Sequence, residues 1–285
     1  MSQRVDRYIE IQGLRLHIRE WLLEDPAAGK PVFVLLHGLA SNAATWDLVA
    51  SELVSAGHHV LAIDQRGHGL SDKPQHGYDF ASVAGDVRGL IETLGLRHVI
   101  LAGQSWGGNV ALEVAARFPG LAAGYIFVDG GFLDLRQRGD WQQIALELRP
   151  PDLVGTQLVA IRERIASMHP AWSSEALALT LQNFEVLPDG TVRPWLTIDR
   201  HMEILRALYD QDVASLYPGV QQPVLICAAD DGSEWASRKK QQVAVAHTHL
   251  PDAAVRWFAG AAHDIHVDRP AELARVMLDF SAQLA

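Results

Sequence analysis

From residue 31 onward the chain alternates short, nearly continuous apolar runs with longer stretches in which apolar residues recur every three or four positions. The short runs read as strands buried on both faces of a parallel sheet, and the longer stretches as the helices that cover it. On this basis strands are predicted at 31–36, 60–63, 99–102, 123–128, 223–228 and 254–258, and helices at 44–55, 81–94, 235–246 and 271–283. Ahead of them, residues 7–11, a Gln12-Gly13 turn and the alternating Leu14, Leu16 and Ile18 predict a β-hairpin that forms an antiparallel edge. The rhythm breaks over 132–217, which carries helical stretches and a Leu187-Pro-Asp-Gly-Thr191 turn without a continuous buried strand. The expected organisation is an α/β core of residues 1–131 and 218–285 with a mainly helical insertion at 132–217.

Length supports this picture, since 285 residues suffice for one sizeable core with an insertion and are few for two average domains. The net charge of −10, from 24 basic and 34 acidic residues, with no basic run beyond residues 238–240, argues against nucleic acid or an anionic membrane surface as partner. A small molecule is the expected partner. Cys227 is the single cysteine and lies in the apolar run 223–227, so no intrachain disulfide is possible and a buried thiol is expected. The opening residues lack a signal-peptide pattern, and no apolar run approaches the ~20 residues of a membrane span. These features predict a cytoplasmic protein.

The strongest chemical signal is Gly103-Gln-Ser105-Trp-Gly107, placed between an apolar run and a stretch of small and apolar residues at helical spacing. A serine on a sharp strand-to-helix turn has its neighbours two positions away pressed against other backbone, which glycine tolerates. Ser105 is therefore expected to stand proud of the sheet, with the unpaired amides and positive dipole end of the next helix aimed at an anion forming there.

Four segments together resemble the α/β-hydrolase superfamily over nearly the whole chain: His37-Gly38-Leu39, the stretch from Asp64 to Asp72, Gly103 to Gly107, and Gly260-Ala-Ala-His263. The resemblance implies an α/β-hydrolase fold with a mostly parallel eight-stranded sheet, helices on both faces, and a helical cap formed by the insertion. It also implies Ser105 as nucleophile and His263 as general base, with the backbone N–H groups of Leu39 and Trp106 as oxyanion donors. His266, three residues beyond His263, is the rival base and is expected to face the succeeding helix or solvent. The family's usual acid follows the strand after the cap, where Asp231 aligns and is the first candidate, with Asp230 beside it. Ala228 in place of the usual glycine, and Gly232-Ser233-Glu234-Trp235 in place of an apolar-Pro ending, keep a second candidate open. That is Asp129, at the end of the run 125–131, where some relatives carry their acid. The Trp106 side chain is read equally as pocket lining or packing, and His37 as ordering its own loop.

The implied reaction is acyl transfer to Ser105 and hydrolysis of the acyl-enzyme, on a carboxylic ester, lactone or related acyl compound, with no cofactor and no metal. Carbon–carbon bond hydrolases and cofactor-free haloperoxidases share these residues, and some relatives are slow-turnover small-molecule receptors. Large apolar groups in the insertion, among them Trp141, Met168, Trp172, Trp195 and Leu205, give a weak preference for an apolar or aromatic acyl group.

Overall fold

The computed structural model describes residues 2–23 and 29–284. The chain opens with strands β1 (Ser2–Ile11) and β2 (Leu14–Leu23), paired antiparallel around Gln12 and Gly13, both of which have positive φ. There follow β3 (Val32–Leu36), helix α1 (Asp47–Ser55), β4 (Val60–Ile63), α2 (Phe80–Thr93), β5 (Val99–Gln104), α3 (Trp106–Arg117) and β6 (Gly124–Val128). The segment between β6 and the next core strand contains α4 (Trp141–Glu147), β7 (Thr156–Gln157), α5 (Leu158–Met168), α6 (Ser174–Thr180), β8 (Phe184–Val186), β9 (Thr191–Pro194), α7 (Ile198–Asp210) and α8 (Val213–Leu216). The core then resumes with β10 (Val224–Asp230), α9 (Glu234–His249), β11 (Ala253–Ala259), α10 (Ile265–Asp268) and α11 (Pro270–Ala282).

Among the described residues the main sheet has eight strands in the order β1-β2-β4-β3-β5-β6-β10-β11. The β1–β2 and β2–β4 pairs are antiparallel and the rest parallel, so the predicted hairpin is the antiparallel edge. Strand alternation divides the core in two. Val34 and Leu36 of β3 join Leu101, Phe127 and Ile226 on the face covered by α2, α3 and α9. Phe33 and Leu35 join Ile100, Ile126 and Cys227 on the face covered by α1 and α11. Helix α2 shows why such a stretch becomes a helix here: Phe80, Val83, Ala84, Val87, Leu90 and Ile91 are buried at helical spacing, and the Asp79 side chain accepts the Ser82 amide at 3.0 Å as N-cap. Cys227 is fully buried, and burial pushes its thiol pKa far up, as suits a packing residue.

The 132–217 segment is helical in the main, but the 187–191 turn joins β8 to β9, and β7 completes a three-stranded antiparallel sheet absent from the periodicity-based reading. These strands are two to four residues long and largely unburied, too short to show a period of two. The segment is clasped to the core by polar contacts. Gln211, at the end of α7, accepts from Asn109 Nδ2 at 2.8 Å and donates to Glu113 at 2.8 Å, both on α3. Arg200 donates to the carbonyls of Lys73 and Pro74 at 2.9 and 3.0 Å. No helix among the described residues is long and apolar enough to cross a membrane.

Candidate active site

Ser105 occupies the turn between β5 and α3 with φ +52° and ψ −120°, a conformation that costs an ordinary L-residue free energy and that the surrounding packing enforces. The flanking glycines are required by close approach. A Cβ on Gly103 would stand 2.1 Å from the Gly107 carbonyl oxygen, and one on Gly107 would stand 2.5 Å from the His37 carbonyl oxygen. Trp106 opens α3, so its N–H has no partner within the helix. The facing loop, residues 37–41, is braced from behind. His37 Nδ1–H donates to the Gly38 carbonyl at 2.7 Å while its Nε2 accepts the Gln65 amide at 3.0 Å. His68 Nε2 accepts the Ala40 amide at 3.2 Å. Burial holds both imidazoles below their usual pKa, so they remain neutral and keep these acceptor roles. The Trp106 ring does both things read from sequence: it stacks on His68 with centroids 5.3 Å apart and also lines the cavity beside Ser105.

The histidine and its carboxylate partner are the decisive part of the geometry. His263, in the loop after β11, donates from Nδ1 to Asp129 Oδ2 at 2.6 Å. Asp129 follows β6 with φ +45° and is wholly buried. Its Oδ1 accepts the Ala229 amide at 2.9 Å, and its Oδ2 also accepts from Lys239 Nζ of α9 at 2.7 Å. Burial alone would raise the Asp129 pKa, but the hydrogen bonds and charges of His263 and Lys239 outweigh it and hold the carboxyl below its ordinary value. For His263, burial among protein groups acts downward, and the Asp129 hydrogen bond and charge, with Asp264 adding, turn the net shift upward. Water still reaches 49% of the side-chain surface through the cavity.

Asp231, the first candidate for this position, is not brought to His263. β10 ends one residue earlier, and Asp231 lies exposed in the turn before α9, where its Oδ1 accepts the Ser233 amide at 3.0 Å. Asp230 pairs instead with Lys240 at 2.8 Å. The space between β10 and Asp129 is taken by Lys239, which also donates to the Ala229 carbonyl at 2.9 Å. His266 is likewise placed differently from expectation: it lies in α10, 1% exposed, with its ring 4.7 Å from that of Trp46.

Ser105 and His263 line two adjoining chambers. The first, of about 370 Å³, is walled mainly by apolar side chains such as Leu133, Leu148, Leu205 and Trp235, with Arg138 and His201 as its polar members. Burial lowers His201 to a pKa of about 4, so it is neutral. Arg138 is ion-paired with Glu147 and lies over the Trp235 ring at 4.6 Å. The second chamber, of about 230 Å³, is polar, and Ser41, Thr45, Asn183 and Asp264 contribute to it. Leu39 also lines both. Among the described residues Ser105 Oγ makes no direct hydrogen bond to His263, a contact that in resting sites often tightens only with substrate bound.

Of the large apolar groups in the insertion, Leu205 and Trp172 reach the chambers. Trp141 packs on Tyr209, Trp195 lies beneath the Lys73 ammonium, and Met168 is exposed. Arg138, His201 and Lys239 carried no sequence signal of a site, except that Lys239 falls on the buried stripe of α9 with Ala236, Val243 and Ala246.

A Ser105 elbow with a histidine from the last sheet loop and a carboxylate on its Nδ1 is an arrangement found in hydrolases. Residues 33–276 match the model of the alpha/beta hydrolase family. The chain belongs to that family. This hydrolase is 27% identical over 278 residues to the 2-(acetamidomethylene)succinate hydrolase of Mesorhizobium japonicum, covering 97% of this chain and 95% of that one. A solved structure of E-2-(acetamidomethylene)succinate hydrolase superposes on the hydrolase with a TM-score of 0.80 at 25% identity, covering 98% and 99% of the two chains. The hydrolase is also 26% identical over 335 residues to epoxide hydrolase A of Mycobacterium tuberculosis, covering 98% of each chain.

Proposed function

We propose that the hydrolase cleaves an ester, lactone or related acyl bond of a small carboxylate-bearing substrate through an acyl-enzyme on Ser105. The observation that carries this reading is the His263–Asp129 hydrogen bond of 2.6 Å at a cavity that Ser105 also lines. Ser105 Oγ attacks the carbonyl carbon as His263 Nε2 takes its proton, and the Leu39 and Trp106 N–H groups stabilise the oxyanion. His263 then gives that proton to the leaving group, and water attacks the acyl-enzyme with His263 again as base. Asp129 accepts from Nδ1 throughout, fixing the tautomer that presents Nε2 to the serine. Asp129, rather than Asp231, is the acid in this reading.

The carboxylate is argued from Arg138, a cation in a mainly apolar chamber, whose carboxylate partner Glu147 is half exposed and so replaceable by a substrate group. The relative's name, which gives a succinate as its substrate, agrees. The insertion, contributing Arg138, His201 and Leu205 to the chamber wall, serves as the cap that selects substrate.

The test is steady-state hydrolysis of p-nitrophenyl esters and lactones, with and without a carboxylate on the acyl group, by wild type and Ser105→Ala. Multiple turnovers that favour the carboxylate series and vanish in the variant are expected, together with fluorophosphonate labelling of wild type alone. Undiminished labelling of Ser105→Ala would overturn the assignment of the nucleophile. Labelling of wild type without turnover of any ester would point instead to a carbon–carbon bond hydrolase or a receptor.

A further inference from the structure

Asn109 is wholly buried in α3, one turn beyond Ser105, whose carbonyl accepts its backbone N–H at 3.3 Å. Its side chain has three partners. Oδ1 accepts the Gly131 amide at 2.9 Å, and Nδ2 donates to the Leu133 carbonyl at 3.0 Å and to Gln211 Oε1 at 2.8 Å. Gly131 lies two residues beyond Asp129, Leu133 lines the first chamber, and Gln211 follows α7 on the way back to the core. One amide on the helix that begins at the elbow therefore holds the loop after the acid, a residue of the chamber wall and the returning end of the cap.

The chemistry of the partners admits one arrangement. The Gly131 N–H can only donate and the Leu133 carbonyl can only accept, which fixes the end of the Asn109 amide that faces each. Nδ2 then needs an acceptor for its second hydrogen, so Gln211 presents Oε1 and turns Nε2 to Glu113 Oε2 at 2.8 Å. The other Glu113 oxygen accepts from Arg117 Nε at 2.5 Å. Any movement of the loop is felt at the elbow, because a Cβ on Gly108 would stand 2.8 Å from the Gly131 nitrogen and one on Gly130 would stand 2.1 Å from the Ser105 carbonyl oxygen. Arg200 on residues 73 and 74, and Gln242 on the Asp134 carbonyl at 3.1 Å, also tie the insertion to the core, but each holds it at a single point.

We infer that Asn109 is a positioning residue of the hydrolase, which registers the Asp129 loop and both ends of the cap against the helix that follows Ser105. This rests on the proposed roles of Asp129 and of the cap. Asn109 touches no reacting atom. It acts through Gly131 on the acid, and through Leu133 and Gln211 on the substrate-selecting wall.

The experiment breaks the two branches separately. Gln211→Glu sets a second carboxyl group against Glu113 and disrupts the cap branch alone. Adding Glu113→Gln transposes amide and carboxylate and rebuilds each bond, since the carboxylate at 211 accepts from Asn109 Nδ2 and from the new amide, whose oxygen still accepts from Arg117. Asn109→Ala breaks both branches, and Asn109→Asp keeps an acceptor for Gly131. The readouts are kcat on p-nitrophenyl acetate, whose small acyl group reads the triad, KM for a carboxylate-bearing ester, which reads the cap, hydrogen exchange at residues 131–135, and thermal melts. Gln211→Glu is expected to raise that KM about tenfold with kcat on the acetate unchanged, and the double variant to restore it. Asn109→Ala should raise KM, lower kcat on the acetate about tenfold and speed exchange at 131–135, while Asn109→Asp recovers kcat over Asn109→Ala with KM still raised. A wild-type KM in folded Gln211→Glu, or no restoration in the double variant, would overturn the cap branch. An unchanged kcat in folded Asn109→Ala, or no recovery in Asn109→Asp, would overturn the acid branch. Fluorophosphonate labelling that persists in every variant leaves the nucleophile standing in each of these cases, whereas its absence from wild type would overturn the nucleophile and this inference with it.

Discussion

Replacing Lys239 with methionine should move the pH dependence of the reaction. Lys239 Nζ and His263 Nδ1 both lie within 2.7 Å of Asp129 Oδ2. Their nitrogens are therefore at most about 5 Å apart, and at an effective dielectric constant of about 20 two unit charges at that separation repel by roughly 3 kcal/mol. At about 1.4 kcal/mol per unit this would lower the His263 pKa by roughly two units. Water reaching 49% of the His263 side chain screens the repulsion. A shift of about one unit is the working figure. The other groups acting on His263 are Asp129 and Asp264, which raise its pKa; His266 beside it is neutral. With His263 as the proposed general base, activity requires its neutral form, so kcat/KM is expected to fall as pH drops through its pKa. Removing the ammonium favours the imidazolium, and the acid limb of the kcat/KM profile should move up by about one pH unit in Lys239→Met and stay near its wild-type position in Lys239→Arg. Stopped-flow hydrolysis of an activated ester across the pH range, with thermal melts to establish folding, reads this directly. A limb that stays in place in a folded Lys239→Met would show that the lysine is packing alone and that its charge is not felt at the imidazole.

Two further outcomes follow from the geometry. Asp129→Asn should lower kcat/KM by about 10³–10⁴, because an amide that donates to Nδ1 favours the wrong tautomer, whereas Asp231→Asn should stay within about twofold of wild type; parallel kinetics of the two variants check this. Asp64 accepts from His17 Nδ1 at 2.8 Å and from the amides of Ala43 and Leu70 at 2.7 and 2.9 Å; burial would raise its pKa, but these bonds and the nearby histidines lower it from 3.8 to about 2. Its folded pKa lies below its unfolded value, so it contributes stability above about pH 4 that is lost as pH falls through about 2, worth roughly 2 kcal/mol. Urea titrations at pH 7 and pH 3 should show Asp64→Asn destabilised and with a flatter acid dependence than wild type.

The core was legible from sequence because its strands are buried on both faces, which leaves uninterrupted apolar runs such as 99–102, and because Gly103 and Gly107 can be explained only by close backbone contact. The same logic, applied one strand later, points to Asp129, the acid of the proposed mechanism. Gly130 follows Asp129, and a Cβ there would stand 2.1 Å from the Ser105 carbonyl oxygen, so the Asp-Gly-Gly sequence marks a loop pressed against the elbow. Alignment to the commoner acid position obscured that signal. The lysine stayed hidden for a different reason: a charged residue on the apolar stripe of a helix has meaning only once its buried partner is known, and that partner lies 110 residues away. The chamber walls are the least legible part. Arg138, Trp172 and His201 come from the 132–217 segment, whose short elements take their positions from contacts with the core, such as Gln211 on Asn109 and Glu113, and not from a periodicity of their own.

The backbone of Ser105 sets a ceiling on how robust this enzyme can become. A serine at φ +52° and ψ −120° holds a shape that glycine adopts without steric cost, so the residue proposed as the nucleophile also costs the fold around it stability. Directed evolution for heat tolerance, if activity is not scored alongside, would be drawn to Ser105→Gly. Variants of this chain that keep the serine must offset that deficit elsewhere, through stabilising changes remote from the elbow.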